Sequence, residues 1–191
     1  MTNLDGLIAD LIGENESRAD AAASELSNLG EAAFPLLESL LQSKVADHRW
    51  WAIRSLAQHE NPPLKWLIEG LDDPSNEVRE AAALALSLHP TEKAVPALLR
   101  VLMGADGMLG TLVANALTSI GKPAVSQLLD AFHEARPQVR IQIMRSLAEI
   151  CDHRAISLML KATEEDSAML NYWAQQGLER LGLNMVYIKP E

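Results

Sequence analysis

The chain has 191 residues, 48% of them hydrophobic and 22% charged, and 26 acidic side chains against 16 basic give a formal net charge of −10. So acidic a surface repels phosphate backbones and anionic lipid, which sets aside nucleic acid and membranes as partners and favours a basic one. Cys151 is the lone cysteine, so no internal disulfide framework forms.

No apolar run approaches the roughly 20 residues of a membrane-spanning helix. Met1 to Leu11 lacks the basic and apolar regions of a secretory leader, so a cytoplasmic protein is expected. Along the chain, the first predicted element is a lone capping helix at 3–12. From there Leu26, Leu56, Leu86, Leu117, Leu147 and Leu178 recur every 30 or 31 residues. Four positions before each leucine stands Ala22, Ala52, Ala82, Val113, Ile143 or Ala174. Three before it stands Ala23, Ile53, Ala83, Ala114, Met144 or Gln175. Positions −4, −3 and 0 share one helical face, so each period opens with an amphipathic helix whose mostly small residues admit a close neighbour.

A second helix follows in each period, with apolar stripes at Phe34, Leu37 and Leu41; Leu64, Leu67, Ile68 and Leu71; Val95, Leu98, Leu99 and Leu102; Val125, Leu128, Leu129 and Phe132; and Ile156, Met159 and Leu160. Breakers separate the two helices at Gly30, Asn61-Pro62-Pro63, Pro90, Gly121-Lys122-Pro123 and Asp152. The repeats therefore run at about 17–46, 47–75, 76–106, 107–136 and 137–166, with a final first-type helix at 167–181. Together they predict an all-α, right-handed α-solenoid of five to six helix pairs, forming a single domain over 1–182 with a C-terminal tail at 183–191.

Val78-Arg79-Glu80-Ala81-Ala82-Ala83-Leu84-Ala85-Leu86, followed by Ala94-Val95-Pro96-Ala97-Leu98-Leu99, resembles the short HEAT-like repeat of the phycobilisome lyases. That family's arginine early in the first helix is kept at Arg49, Arg79 and Arg140, while Gly110 and Asn171 stand in two repeats. Its glycine after the first helix is kept at Gly30, Gly121 and Gly182. The resemblance implies the fold and two functions: a scaffold for protein partners, or a bilin lyase-like subunit handling a tetrapyrrole.

His59-Glu60 and His133-Glu134 are similar to the His-Glu pairs of a di-iron HEAT-like hydroxylase, but they occupy different columns of the repeat and cannot form a symmetric cage. No zinc-protease, CxxC or nucleophile-elbow motif occurs. Neither a catalytic residue, a metal ligand nor a cofactor is assigned. Gly104, Gly107 and Gly110 lack the strand and Lys-Ser/Thr of a phosphate loop and mark a loosened junction between repeats.

The candidate binding surface lies on the second helices, which line the concave face of such a solenoid. With each helix counted from Ala33, Pro63, Ala94, Ala124 or Ala155, position +3 points away from the core and holds Leu36, Trp66, Ala97, Gln127 and Leu158. Position +6 holds Ser39, Glu69, Arg100, Asp130 and Lys161, whose last four alternate in sign and predict an ionic ladder. The expected partner-binding residues are Leu36, Trp66, Glu69 and Arg100, with Trp50 and Trp51 as flanking aromatics, and the expected partner is another protein presenting a basic segment.

Overall fold

The computed structural model describes residues 4–105 and 107–183, so the expected tail at 183–191 lies, apart from Leu183, outside the described residues. Those residues group into two units, Met1–His89 and Pro90–Glu191. All regular structure among them is helical.

Unit 1 contains α1 (Leu4–Leu11), α2 (Glu16–Asn28), α3 (Phe34–Leu41), α4 (Ala46–Gln58), α5 (Leu64–Glu69) and α6 (Asn76–Leu88). The first-type helices α2, α4 and α6 stack side by side, α3 lies against α4, and α5 against α6. Their shared stripe is the core: Ala22, Ala23, Leu26, Ala52, Ile53, Leu56, Ala82, Ala83 and Leu86 are at most 2% exposed. Each buried leucine or isoleucine contributes about 1.5–3 kcal/mol, and the alanines between them allow the approach that buries it. Gly70, just past the end of α5, marks a close approach of the second helix to the first-type helices. A Cβ there would stand 3.0 Å from Ala82 Cβ and 3.1 Å from Ile53 Cδ1.

Unit 2 contains α7 (Val95–Gly104), α8 (Gly107–Ile120), α9 (Val125–Glu134), α10 (Pro137–Ile150), α11 (Ile156–Ala162) and α12 (Ala168–Arg180). Here α8, α10 and α12 stack in turn, burying Val113, Ala114, Leu117, Ile143, Met144, Leu147, Ala174 and Leu178. Gly177 lets α12 approach α10 and α11, since a Cβ there would stand 2.6 Å from Met159 Cε and 3.1 Å from Ala148 Cα. The glycine column behaves as its chemistry demands: Gly30, Gly121 and Gly182 have positive φ. Cys151 occupies the same position with φ 57°, a left-handed conformation that costs a non-glycine residue about 1–2 kcal/mol.

Most second helices begin with a 3₁₀ turn, at Gly30–Ala33, Glu92–Ala94, Lys122–Ala124 and His153–Ala155. The expected outward row at +3 holds only in part: Leu36, Trp66 and Gln127 are half-buried, while the other two residues are buried. Ala97 and Leu158 are 8% and 9% exposed, and at +7 Leu40 is buried while Leu41 at +8 is only half-buried. The expected ionic ladder does not form at its last two links. Asp130 and Lys161 form no ion pair among the described residues, and Glu69 pairs within its own helix, with Lys65 Nζ at 3.5 Å.

A candidate docking groove in each unit

In unit 1 a groove of about 650 Å³ runs along the ends of α3 and α5 and the turn into α6. Trp66 forms one wall, with Leu41, Pro74 and Val78 as further apolar surface. Glu38, Glu69, Asp72 and Asp73 supply four carboxylates against two cations, Arg49 and Lys65. Trp66 is half-buried. Its ring stands edge-on to Phe34 with centroids 5.9 Å apart, and Phe34 lies 5.1 Å from the ring of His59. One side of the indole is thereby held by an aromatic stack while the groove side stays open, a fixed apolar surface with a low entropy cost of binding.

His59 is 4% exposed and its Nε2 has no hydrogen-bond partner. Burial, reinforced by the charge of His89, holds it below the ordinary imidazole value, so the neutral ring is the form that packs against Phe34.

The groove floor is an ion pair. Arg49 Nε donates to Asp73 Oδ2 and its second guanidinium nitrogen to Oδ1, both at 2.7 Å, and Nη1 donates to Ser43 O at 2.9 Å. Desolvation opposes ionisation of Asp73, yet the hydrogen bonds from Arg49 and Ser75 and the charges of Arg49 and Arg79 outweigh it, and its carboxyl titrates below the usual range. The hydrogen bonds to Asp73 raise Arg49 in turn, against its desolvation. This fork-on-fork arrangement fixes the turn between two repeats and so fixes the Trp66 wall.

Of the expected binding residues, the groove gathers Trp66 and Glu69. Leu36 is half-buried on α3 and does not line it. Arg100 is exposed on α7 in unit 2. Trp50 and Trp51 are half-buried on α4, edge-to-face at 4.8 Å, with the Arg54 guanidinium 5.5 and 5.8 Å from their ring centres, and do not line the groove. The acids Glu38, Asp72 and Asp73 and the Arg49 clasp went unassigned from sequence, although Arg49 was visible there as a kept repeat residue.

Unit 2 carries a groove of about 600 Å³ at the equivalent place, where Leu102, Gly110 and Val139 stand for Leu41, Arg49 and Val78. Among the described residues no group of three or more His, Cys, Asp or Glu side chains is placed to hold a metal. No helix among them is long and apolar enough to cross a membrane.

The family model for HEAT repeats matches residues 34–109 and again 64–136, together more than half the chain. A phycobilisome maturation protein from Synechococcus elongatus is 30% identical over 115 residues, covering 60% of this chain and 55% of that protein, so the chain spans little more than half the length of this curated relative. The solved complex of CpcE and CpcF of phycocyanin lyase from Nostoc sp. PCC7120 is similar to 75% of this chain and 96% of the matched chain, at 26% identity and a TM-score of 0.60. A designed armadillo repeat protein, solved with the peptide (KR)4, covers 94% of this chain and 100% of its own at 16% identity and a TM-score of 0.54. The likeness to these structures is one of fold, an all-α repeat solenoid.

Proposed function

Since the chain belongs to the HEAT repeat family, we propose that it is a non-catalytic interaction module whose unit 1 groove docks a segment of another protein. The observation that carries this reading is Trp66: a half-buried indole, backed by Phe34 and facing a groove with four carboxylates. An apolar anchor within an acidic rim suits a basic segment, which the surrounding charge steers inward in a salt-dependent way. Covering the open face of an indole contributes about 2–4 kcal/mol, so truncation weakens binding at least ~30-fold.

The test isolates a partner on the wild-type chain and compares its affinity for Trp66→Ala, with thermal melts alongside. Because Trp66 also supports Phe34, a second variant, Glu69→Lys, reverses a rim charge without touching the aromatic stack. The proposal requires weaker binding by both. A folded Trp66→Ala chain that binds at wild-type affinity overturns it.

A second reading follows from the relatives, a phycobilisome maturation protein and the phycocyanin lyase complex. On it the chain is a bilin lyase-like subunit acting beside a companion chain. A bilin mixed with the protein then gives a red-shifted absorption band that survives gel filtration, and no such band forms if the groove serves protein segments alone.

A further inference from the structure

The wall that Trp66 gives the unit 1 groove is held from behind by two further rings. Trp66 stands edge-on to Phe34 at 5.9 Å, and Phe34 lies 5.1 Å from the imidazole of His59, the residue that caps the end of α4. Of these three rings only the imidazole can take up a proton. The state of His59 therefore decides whether the stack behind the groove is free of charge.

His59 is built in as a neutral ring. Its side chain is 4% exposed, and its Nε2 is buried with no hydrogen-bond partner. In an imidazolium both ring nitrogens carry a proton, and the one at Nε2 would meet neither an acceptor nor water. The groups that face the ring supply no counter-charge. From α3 the contact is the Phe34 ring, and from the end of α6 it is His89, whose Nε2 donates to Ala57 O at 2.9 Å and whose charge repels a second proton. Glu31 before α3 and Glu60 beside His59 are exposed, and on α5 Lys65 and Glu69 pair with each other.

A proton thus favours expulsion of the ring. In water an imidazole takes up its proton at the ordinary value of 6.5, while burial, with the His89 charge second, holds the packed ring below it. Between the two values each unit fall in pH favours the expelled ring by up to about tenfold. From about pH 7.5 to about pH 5 the ceiling is about thirtyfold. An ordinary carboxylate titrates lower still, at about 4, so loss of acidic charge is a separate event.

We propose that His59 is a proton-operated support of the docking groove: its neutral ring holds Phe34 and Trp66 in place, and protonation expels it, slackens the stack and releases the guest. This rests on the docking role of the Trp66 groove and confines that docking to neutral and alkaline solution.

The experiment follows the full chain by NMR from about pH 7.5 to about pH 5. The His59 Cε1 proton and the Trp66 indole N–H are expected to move with one shared midpoint, with the Trp173 indole as internal control. His59→Phe keeps a ring against Phe34 but takes up no proton, so its Trp66 signal stays still. An octapeptide of alternating lysine and arginine binds the wild-type chain about tenfold more weakly at the lower pH, and binds His59→Phe equally at both. A Trp66 signal that ignores the His59 midpoint, or the same fall in affinity with His59→Phe, overturns the proposal. If His59→Phe does not fold, coincidence of the two wild-type midpoints decides alone. If the midpoints coincide and the octapeptide binds at neither pH, the proton-operated support stands and the docking reading of the groove fails.

Discussion

The turns that close repeats two and four occupy the same place in the period and are built in opposite ways. At the first, Arg49 and Asp73, with side chains 12% and 9% exposed, lock α4 to the start of α6. At the second, Gly110 has no side chain to form such a clasp, and Arg136 donates to Ala105 O from another position of the repeat. The difference teaches that the repeat's arginine is an intramolecular ligand: where Arg49 or Arg140 is present it pairs with the acid of the next turn, and where glycine replaces it that pairing is lost.

The largest effect should come from making the first turn like the second. Arg49→Ala leaves Asp73 largely buried without its counter-charge, and unfolding by denaturant, followed by far-ultraviolet dichroism, should show a loss of about 3 kcal/mol. Acid removes the same staple from the other side. The folded Asp73 value lies below its ordinary 3.8, so its contribution is complete above that pH and fades as the pH falls through the folded value. Asp73→Asn should flatten that part of the acid unfolding curve, whereas Glu134→Gln should leave it unchanged.

A smaller effect concerns local opening. Gly107, at φ 58°, and Gly110 increase the entropy lost on ordering the start of α8, so amides of Gly107 through Gly110 should exchange hydrogen about tenfold faster than those of Asp72 through Asn76. Equal protection at the two turns would erase the contrast between them. The smallest change runs in reverse: Gly110→Arg should raise stability by ~0.5–1 kcal/mol, measured as a shifted denaturation midpoint.

How much of this was readable beforehand depends on what fixed the residues. The leucine column and its small companions were legible because a buried stripe at helical spacing has one physical solution, and Leu26 through Leu178 are all fully buried. Trp66 and Glu69 were legible as groove residues because they sit on the second helices. The outward row was legible only in part, since a helical wheel fixes the direction of a side chain loosely, and Ala97 and Leu158 are buried where Leu36, Trp66 and Gln127 are half-buried. The Arg49–Asp73 clasp left a signal that was available, a fixed spacing of 24 or 25 residues from arginine to acid. It emerges only when columns are compared between repeats rather than within a helix.

The aromatic residues have an optical consequence. Three of the four indoles, Trp50, Trp51 and Trp66, belong to unit 1, and Trp173 alone to unit 2. Ultraviolet emission from this protein is therefore a weighted witness that speaks mainly for one half, while the peptide chromophore speaks for both. Trp50 and Trp51, edge-to-face at 4.8 Å, are close enough to couple their transitions. Their joint signature in the near-ultraviolet should vanish when α4 loosens and persist through any event confined to the other unit. Two colours of light thus suffice to tell whether the halves of this chain melt together or in turn.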